Sequence, residues 1–177
     1  MIYYDDGETL IRSMERADAE AILAGELAQG YRETMDKYET RLNDQAAGRS
    51  AALVAAYKGN VAGYVNVYFD APRGAFAGTG WCEIVDFGVL EPYRRRGIGG
   101  KLMDAAEAIA FLRADTVYLG VGLHSGYGSA QRMYVKRGYV PDGSGVWYGD
   151  RVCEPYGPCR NDDDLVLYFS KKRADER

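Results

Sequence analysis

The sequence predicts a single mixed α/β domain, and three observations support this prediction. Segments with strand character alternate with segments of helical periodicity along the 177 residues. One transition stands out, because an apolar strand at 84–90 runs through a glycine-containing turn into an amphipathic helix that starts near Gly97. The chain also has neither internal repeats nor a linker, and its length suits one domain. We therefore expect one domain over residues 1–177.

Strand character depends on β-branched and aromatic residues and on the alternation of apolar side chains. Residues 51–58 and 61–69 are predicted to form a hairpin, with Gly59 and Asn60 as its two-residue link. The composition of 116–121 is typical of a buried parallel strand. The seven predicted strands are 9–14, 51–58, 61–69, 84–90, 116–121, 146–149 and 165–170.

Four helices are predicted between these strands. The segment 33–47 is charged and only weakly amphipathic, which is compatible with a solvated helix. The segment 128–137 is followed by Gly138, which suits a helix C-terminus, and then by a turn at 141–145. The four predicted helices are 18–27, 33–47, 97–109 and 128–137.

Composition and charge argue against several function classes. The chain has 22 Lys and Arg against 26 Asp and Glu, a net charge of −4, so no basic surface for nucleic acid is expected. No apolar run approaches the roughly 18 residues that span a membrane, and residues 1–6 lack the basic and apolar regions of a signal peptide. Three cysteines are too few for a disulfide framework, and the single His124 makes a zinc site improbable, so we expect no metal. These features predict a cytoplasmic protein.

The junction between the strand at 84–90 and the following helix has the features of an anion site. Glycines at the start of a helix allow a ligand to approach the backbone closely. The first N–H groups of a helix lack partners and carry a partial positive charge, which favours phosphate. Three consecutive arginines increase the positive potential. The sequence therefore predicts a polyphosphate site.

The pattern of residues narrows the choice of polyphosphate. A P-loop is excluded because Arg95 occupies the position of its first glycine and Leu102 follows Lys101. A dinucleotide-binding fingerprint is excluded because Leu102 also stands where its last glycine is needed. The string Arg94-x-x-Gly97-x-Gly99 instead resembles the coenzyme A pyrophosphate signature of the GNAT acetyltransferases.

A second feature strengthens this resemblance. The stretch 130–139 is similar to the GNAT helix that carries the superfamily's tyrosine, here Tyr134, and it ends at a glycine and an aromatic residue. The close resemblance covers residues 83–139. It implies a mostly antiparallel seven-stranded sheet flanked by helices, with splayed central parallel strands, and acetyl-CoA as co-substrate.

The resemblance also implies roles for individual residues. Glu83 matches the general base of the histone acetyltransferase branch, with Asp86, water or neither as the alternatives, and Tyr134 matches the acid that protonates the leaving thiolate. Strict alternation places Asp86 on the opposite face of the strand from Glu83 unless a bulge intervenes, and either carboxylate is also compatible with an ion pair to a nearby arginine. The family often has an Asn seven residues before its Tyr, which contacts the pantetheine arm of the coenzyme. Here Tyr127 stands at that position, so the contact is either lost or made by Ser129 or a backbone group. The expected coenzyme-binding residues are Val89, Leu90, Arg94, Arg95, Arg96, Gly97, Ile98, Gly99, Gly100 and Ser129.

The sequence says less about the molecule that accepts the acetyl group than about the acetyl donor. The segment 150–164 is acidic, which is typical either of a solvated turn or of a rim that attracts a cationic acceptor. His124 follows a predicted strand, where a lone histidine is more often structural than catalytic. Our leading hypothesis is transfer of an acetyl group to a small amine. The alternatives are a protein or peptide N-acetyltransferase and a non-catalytic acyl-CoA-binding sensor, and a homodimer stays open.

Overall fold

The structure is a computed structural model that describes residues 1–70 and 74–174. Within these residues the chain forms one mixed sheet of nine strands in the order β1-β2-β3-β4-β5-β6-β9-β7-β8 and four flanking α-helices. The strands are β1 (Ile2–Asp5), β2 (Thr9–Ser13), β3 (Ser50–Tyr57), β4 (Asn60–Tyr68), β5 (Cys82–Val89), β6 (Thr116–Gly122), β7 (Val140–Tyr148), β8 (Arg151–Val152) and β9 (Leu165–Lys172). The helices are α1 (Arg16–Ala28), α2 (Met35–Ala46), α3 (Ile98–Phe111) and α4 (Gly128–Lys136), and short 3₁₀ turns cover Glu91–Tyr93 and Ser125–Tyr127.

The predicted fold class is confirmed, but the predicted number of seven strands is wrong. The two additional strands, β1 and β8, are short edge strands of four and two residues. The turn predicted at 141–145 lies inside β7, whose register with β9 shifts between Pro141 and Val146. Such an irregularity accommodates Pro and Gly within a strand, so turn-forming residues there did not end the strand.

The hairpin between β3 and β4 is present, with its link one residue earlier than predicted. Lys58 and Gly59 connect the strands, and both have positive φ angles of 49° and 82°. Two successive residues with positive φ are the requirement of a type I′ turn, which matches the twist of the paired strands. The predicted link residue Asn60 instead begins β4.

The chain divides into two compact units. The first comprises Met1–Tyr68 and Ile84–Leu112, and its core includes Met14, Ile22, Tyr38, Val54 and Tyr64. The second comprises Phe69–Glu83 and Arg113–Arg177, and its core includes the buried residues Tyr118 and Tyr168. The expectation of one domain over 1–177 stays a prediction. None of the helices within the described residues has the length and apolar character that a membrane crossing requires.

The parallel pairing of β5 with β6 is short. It joins Cys82 to Val117 and Glu83 to Tyr118, at the beginning of β5. The strand β6 then pairs antiparallel with β9 along its whole length, from Thr116 with Lys172 to Gly122 with Val166.

Candidate functional site

The N-terminus of α3 presents an open backbone surface. Gly97 is the N-cap residue and has a φ of 78°, a left-handed conformation that glycine adopts without strain. A Cβ atom built on Gly97 or Gly100 would meet no atom of the described chain within 4 Å apart from its neighbours. The first hydrogen bond of α3 runs from the Lys101 N–H to the Gly97 carbonyl at 3.2 Å, so the N–H groups of residues 98–100 have no helical acceptor. This helix start is therefore suited to bind a phosphate.

The three consecutive arginines before α3 have different surroundings. Arg94 donates from Nε to the carbonyl of Val89 at 3.0 Å, which anchors its guanidinium beside the end of β5. The guanidinium of Arg96 lies over the ring of Tyr57, 5.3 Å from the ring centroid. Arg95 has a left-handed backbone with a φ of 60°. All three arginines are exposed, so their positive charge is accessible at the start of α3.

Lys101, one turn into α3, is directed towards the β1–β2 hairpin. Its Nζ atom donates to a carboxylate oxygen of Asp6 at 2.6 Å and to Thr9 Oγ1 at 3.1 Å, and it lies 5.3 Å from the ring centroid of Tyr4. The hydrogen bond from Lys101, followed by that from the Thr9 N–H, holds the pKa of Asp6 well below its usual range. Lys101 is thus part of an ion pair within the protein.

Ile98 and Gly99 lie at the start of α3, where the helix packs closely. A Cβ atom on Gly99 would lie 3.1 Å from the ring of Phe87 and 3.6 Å from a methyl group of Val89. Ile98 is buried in the core. The absence of a side chain at position 99 is therefore explained by close packing against β5.

Leu90, which follows β5, makes both backbone and side-chain contacts within the protein. Its N–H donates to the carbonyl of Ala62 in β4 at 2.9 Å. Its side chain packs against α1 at Gly25, where a Cβ atom would lie only 2.7 Å from Leu90 Cδ1. The N–H of Leu90 is therefore used within the protein, and Val89 is the better candidate of the two for a backbone contact with a ligand.

The strand β5 bends at Asp86. This residue has a φ of 51°, a left-handed conformation that interrupts the alternation of side chains along the strand. Its carboxylate accepts hydrogen bonds from Arg41 of α2, with Nε and Nη2 each 2.6 Å from Oδ2. Beyond the bend, Gly88 packs against Tyr64, and a Cβ atom there would lie 3.0 Å from the ring. Asp86, the alternative general base, is thus held in an ion pair.

In the second unit, Glu83 lies half-buried beside aromatic residues. Burial and the charge of Glu83 raise the pKa of Tyr118, its partner in the register of β5 and β6. Burial and the same charge raise the pKa of Tyr168 to about 12. Three further rings pack against Tyr118 and Tyr168. These five residues, hereafter the aromatic cluster, are Phe76, Trp81, Tyr118, Trp147 and Tyr168, with centroid separations of 4.8 to 6.3 Å between contacting rings.

Tyr134 and Ser129 lie on α4. Tyr134 is 6% exposed, and its ring contacts that of Tyr139 with 5.9 Å between centroids. Burial raises the pKa of the Tyr134 phenol well above its usual value, so the hydroxyl keeps its proton across the neutral range. Ser129 is exposed in the first turn of α4.

Tyr127 and His124 form a local network with the acidic segment. The Tyr127 hydroxyl donates to Asp163 Oδ1 at 2.9 Å, and His124 Nε2 lies 3.0 Å from the same oxygen. His124 Nδ1 accepts a hydrogen bond from the Gly126 N–H at 3.1 Å, which leaves the ring proton on Nε2 in the neutral form. The hydrogen bonds from His124 and then Tyr127 lower the pKa of Asp163. This arrangement supports a structural role for His124.

Comparison with known proteins identifies the family. A sequence profile of the Acetyltransferase (GNAT) family matches residues 15–139. The chain belongs to the GNAT acetyltransferase family. A comparison with curated proteins found no match.

Solved structures of GNAT acetyltransferases share the fold. An acetyltransferase from Salmonella typhimurium that modifies the N-terminal serine of the 50S ribosomal subunit protein L7/L12 has a TM-score of 0.72 at 8% identity, covering 98% of this chain and 100% of that one. Ard1 from Thermoplasma volcanium has a TM-score of 0.68 at 18% identity, with coverages of 95% and 99%. RimL, a ribosomal L7/L12 alpha-N-protein acetyltransferase solved in complex with coenzyme A, has a TM-score of 0.71 at 9% identity, with coverages of 97% and 98%. At these identities the likeness shows the fold.

Membership of the GNAT family confirms the predicted enzyme class, an acyltransferase that uses acetyl-CoA. The open start of α3 at Gly97 and the three exposed arginines fit the phosphates of this co-substrate. The individual site residues stay predictions of the sequence.

Three residues around the site were missed by the sequence analysis. Arg41 is separated from its partner Asp86 by 45 positions, and no local pattern links them. Tyr64 and Phe87 are apolar strand residues whose contacts with Gly88 and Gly99 follow only from the packing of β4, β5 and α3. An unusual density of glycines near the end of β5 was the one available signal of this close packing.

Proposed function

We propose that this GNAT acetyltransferase acetylates the primary amine of a small cationic molecule. The observation that carries this proposal is the position of Glu83 beside the aromatic cluster, in which Phe76, Trp81 and Trp147 are partly exposed. A carboxylate next to aromatic faces attracts an alkylammonium group through both charge and cation–π interactions. The acidic segment supports this less directly, because Asp162 and Asp163 are bonded to neighbouring residues.

Glu83 and Tyr134 are proposed as base and acid. Acetyl-CoA supplies an acetyl group activated as a thioester. A carboxylate oxygen of Glu83 takes a proton from the acceptor ammonium, and the neutral amine nitrogen then forms a bond to the acetyl carbon as the C–S bond of the thioester breaks. Tyr134 gives its hydroxyl proton to the departing sulfur. The ion pair of Asp86 with Arg41 supports the choice of Glu83, because the Asp86 carboxylate is already engaged by a guanidinium at 2.6 Å within the protein. We assign polarisation of the thioester carbonyl to a hydrogen bond from the backbone N–H of Val89.

The donor part of the proposal is tested by Gly97→Asp, with Gly97→Asn as the matched control. Both side chains tolerate the left-handed φ of 78° better than other residues, and they differ in charge. A negative charge at a helix N-terminus stabilises the unliganded helix but repels the phosphates. We therefore expect Gly97→Asp to fold normally and to bind acetyl-CoA at least about tenfold more weakly than Gly97→Asn, measured by titration calorimetry. Equal affinity in the two variants would place the phosphates elsewhere.

The acceptor part is tested by a thiol-release assay. The purified protein is mixed with acetyl-CoA and, in separate reactions, polyamines, aminoglycosides, neutral amines and basic peptides. We expect release of free thiol with at least one small polycation, together with one acetyl group gained by that amine in mass spectra. Release with peptides alone would assign the protein to N-terminal or lysine acetylation. Tight binding of acetyl-CoA without thiol release from any mixture would favour a sensor.

A further inference from the structure

We propose that Arg41 is a positioning residue for acetyl transfer, which acts by holding the bend of β5 at Asp86. The inference rests on the proposed function, in which the backbone at Val89 contacts the thioester. Val89 lies three residues after Asp86 on the same strand, so the conformation of Asp86 sets the direction of that backbone. Arg41 lies on α2, outside the sequence stretch that resembles the coenzyme site.

The conformation of Asp86 needs support. Its φ of 51° places a residue with a side chain in the left-handed region within a strand. Asp enters this region more readily than most residues but still less readily than glycine, and such conformations persist only where surrounding contacts hold them. One such contact at Asp86 is the ion pair with Arg41.

The guanidinium of Arg41 is itself fixed in place. Its Nη1 atom donates to the Tyr68 hydroxyl at 2.5 Å, while Nε and Nη2 each lie 2.6 Å from Asp86 Oδ2. The Tyr68 hydroxyl in turn donates to Asp44 of α2. The side chains of Arg41 and Asp86 are 22% and 19% exposed, so water competes little for the pair. A rigid planar fork between two acceptors is a suitable means of fixing a backbone bend.

The backbone after the bend has a measurable reporter. The N–H of Leu90 donates to the Ala62 carbonyl at 2.9 Å, directly after the segment that the bend orients. If Arg41 holds the bend, the loss of Arg41 weakens this hydrogen bond in the unliganded protein. Amide hydrogen exchange at Leu90 then reports on the backbone without any coenzyme or acceptor.

The test combines Arg41→Met with Asp86→Gly. Met removes the charge and keeps an apolar stem, and glycine adopts a φ of 51° without an ion pair. We expect Arg41→Met to accelerate exchange at Leu90 and to lower kcat/KM for acetyl-CoA, each by at least about tenfold. Arg41→Met/Asp86→Gly should return both values to within about threefold of the wild type. A weaker backbone contact polarises the thioester carbonyl less. With bound acetyl-CoA labelled with ¹³C at this carbonyl, the C=O stretching frequency should therefore be higher in Arg41→Met than in the double variant.

Two results would overturn the inference. Unchanged exchange at Leu90 in Arg41→Met would show that the bend holds without Arg41. If the double variant stays as impaired as Arg41→Met, Arg41 contributes to folding or contacts the acceptor instead of holding the bend. An increase in the KM for the amine, without a change in the KM for acetyl-CoA, would favour contact with the acceptor. The exchange measurement needs no ligand, so it tests the role of Arg41 in holding the bend even if the protein acetylates no amine. Absence of acetylation would contradict the proposed function alone.

A second comparison decides the question if Arg41→Met does not fold. Asp86→Gly and Asp86→Ala both lack the carboxylate, so a catalytic role of Asp86 cannot separate them. Alanine is strained at positive φ and glycine is not. We expect slower Leu90 exchange and at least about tenfold higher kcat/KM in Asp86→Gly than in Asp86→Ala. Equal values in the two variants would refute the importance of the bend.

Discussion

Glu83→Gln is expected to lower kcat by roughly 10²–10⁴-fold while acetyl-CoA still binds with its normal affinity. Glutamine keeps the size of the side chain and its place beside Tyr118, but it cannot take the proton of an ammonium group. An alkylammonium has a pKa of about 10.4, so the acceptor arrives protonated at neutral pH and the base is required there. As the pH rises towards that value, more acceptor arrives neutral, and the defect should become smaller. Steady-state rates between pH 6 and about 10 measure this trend.

The matched control is Asp86→Asn, which removes the other carboxylate of β5. We expect its defect to be independent of pH, because Asp86 is proposed to hold the backbone rather than to transfer a proton. If Asp86→Asn instead shows the defect that shrinks with pH, and Glu83→Gln does not, the two roles must be exchanged.

Tyr134→Phe should reduce turnover by roughly 10²-fold or more with little change in folding. Phenylalanine keeps the ring that packs against Tyr139, so the free energy of unfolding should change by no more than about 1 kcal/mol for one lost hydrogen bond. Burial raises the pKa of the phenol, so donation of its proton to a thiolate is more uphill than it is for an exposed tyrosine. For the same reason the acid form persists to high pH, and loss of the Tyr134 proton should not limit the rate below about pH 10.

Tyr139→Phe is the control for Tyr134→Phe. Tyr139 is a buried phenol three residues after the end of α4 and contacts the Tyr134 ring, so its replacement causes a similar loss of polarity in the same core. We expect Tyr139→Phe to retain near-normal turnover. A Tyr134→Phe protein that also acetylates at a near-normal rate would leave Tyr134 as a packing residue, with the leaving sulfur protonated by water or by the outgoing ammonium.

The sequence predicted features that depend on neighbouring residues. The glycines and arginines at 94–100 indicated a helix N-terminus open to phosphate, and Gly97 indeed caps α3 with a left-handed φ. Strand segments with a clear β-branched pattern were found, whereas β1 and β8 were missed because they are too short to show a pattern. Such edge strands form through pairing with a longer neighbour.

Features that depend on tertiary contacts were not predicted. Glu83 and Asp86 are three positions apart, so strict alternation predicted opposite faces, with a bulge as the alternative, and the general base stayed undecided. The bend at Asp86 and its ion pair with Arg41 remove this simple alternation, and they result from packing of α2 against the sheet rather than from local preference. Likewise the hydrogen bond from the Tyr127 hydroxyl to Asp163 joins residues 36 positions apart, which no local pattern indicates.

The contact between Gly99 and Phe87 links the variability of two positions. A methyl group at 99 would press on the Phe87 ring at 3.1 Å, whereas Gly100 next to it faces open space. In sequences that keep this fold, a residue larger than glycine at 99 should be accompanied by a smaller residue at 87, and position 100 should vary freely with respect to 87. Sequence variation at the start of α3 is thus constrained by packing against β5, through the combined volume of the two side chains.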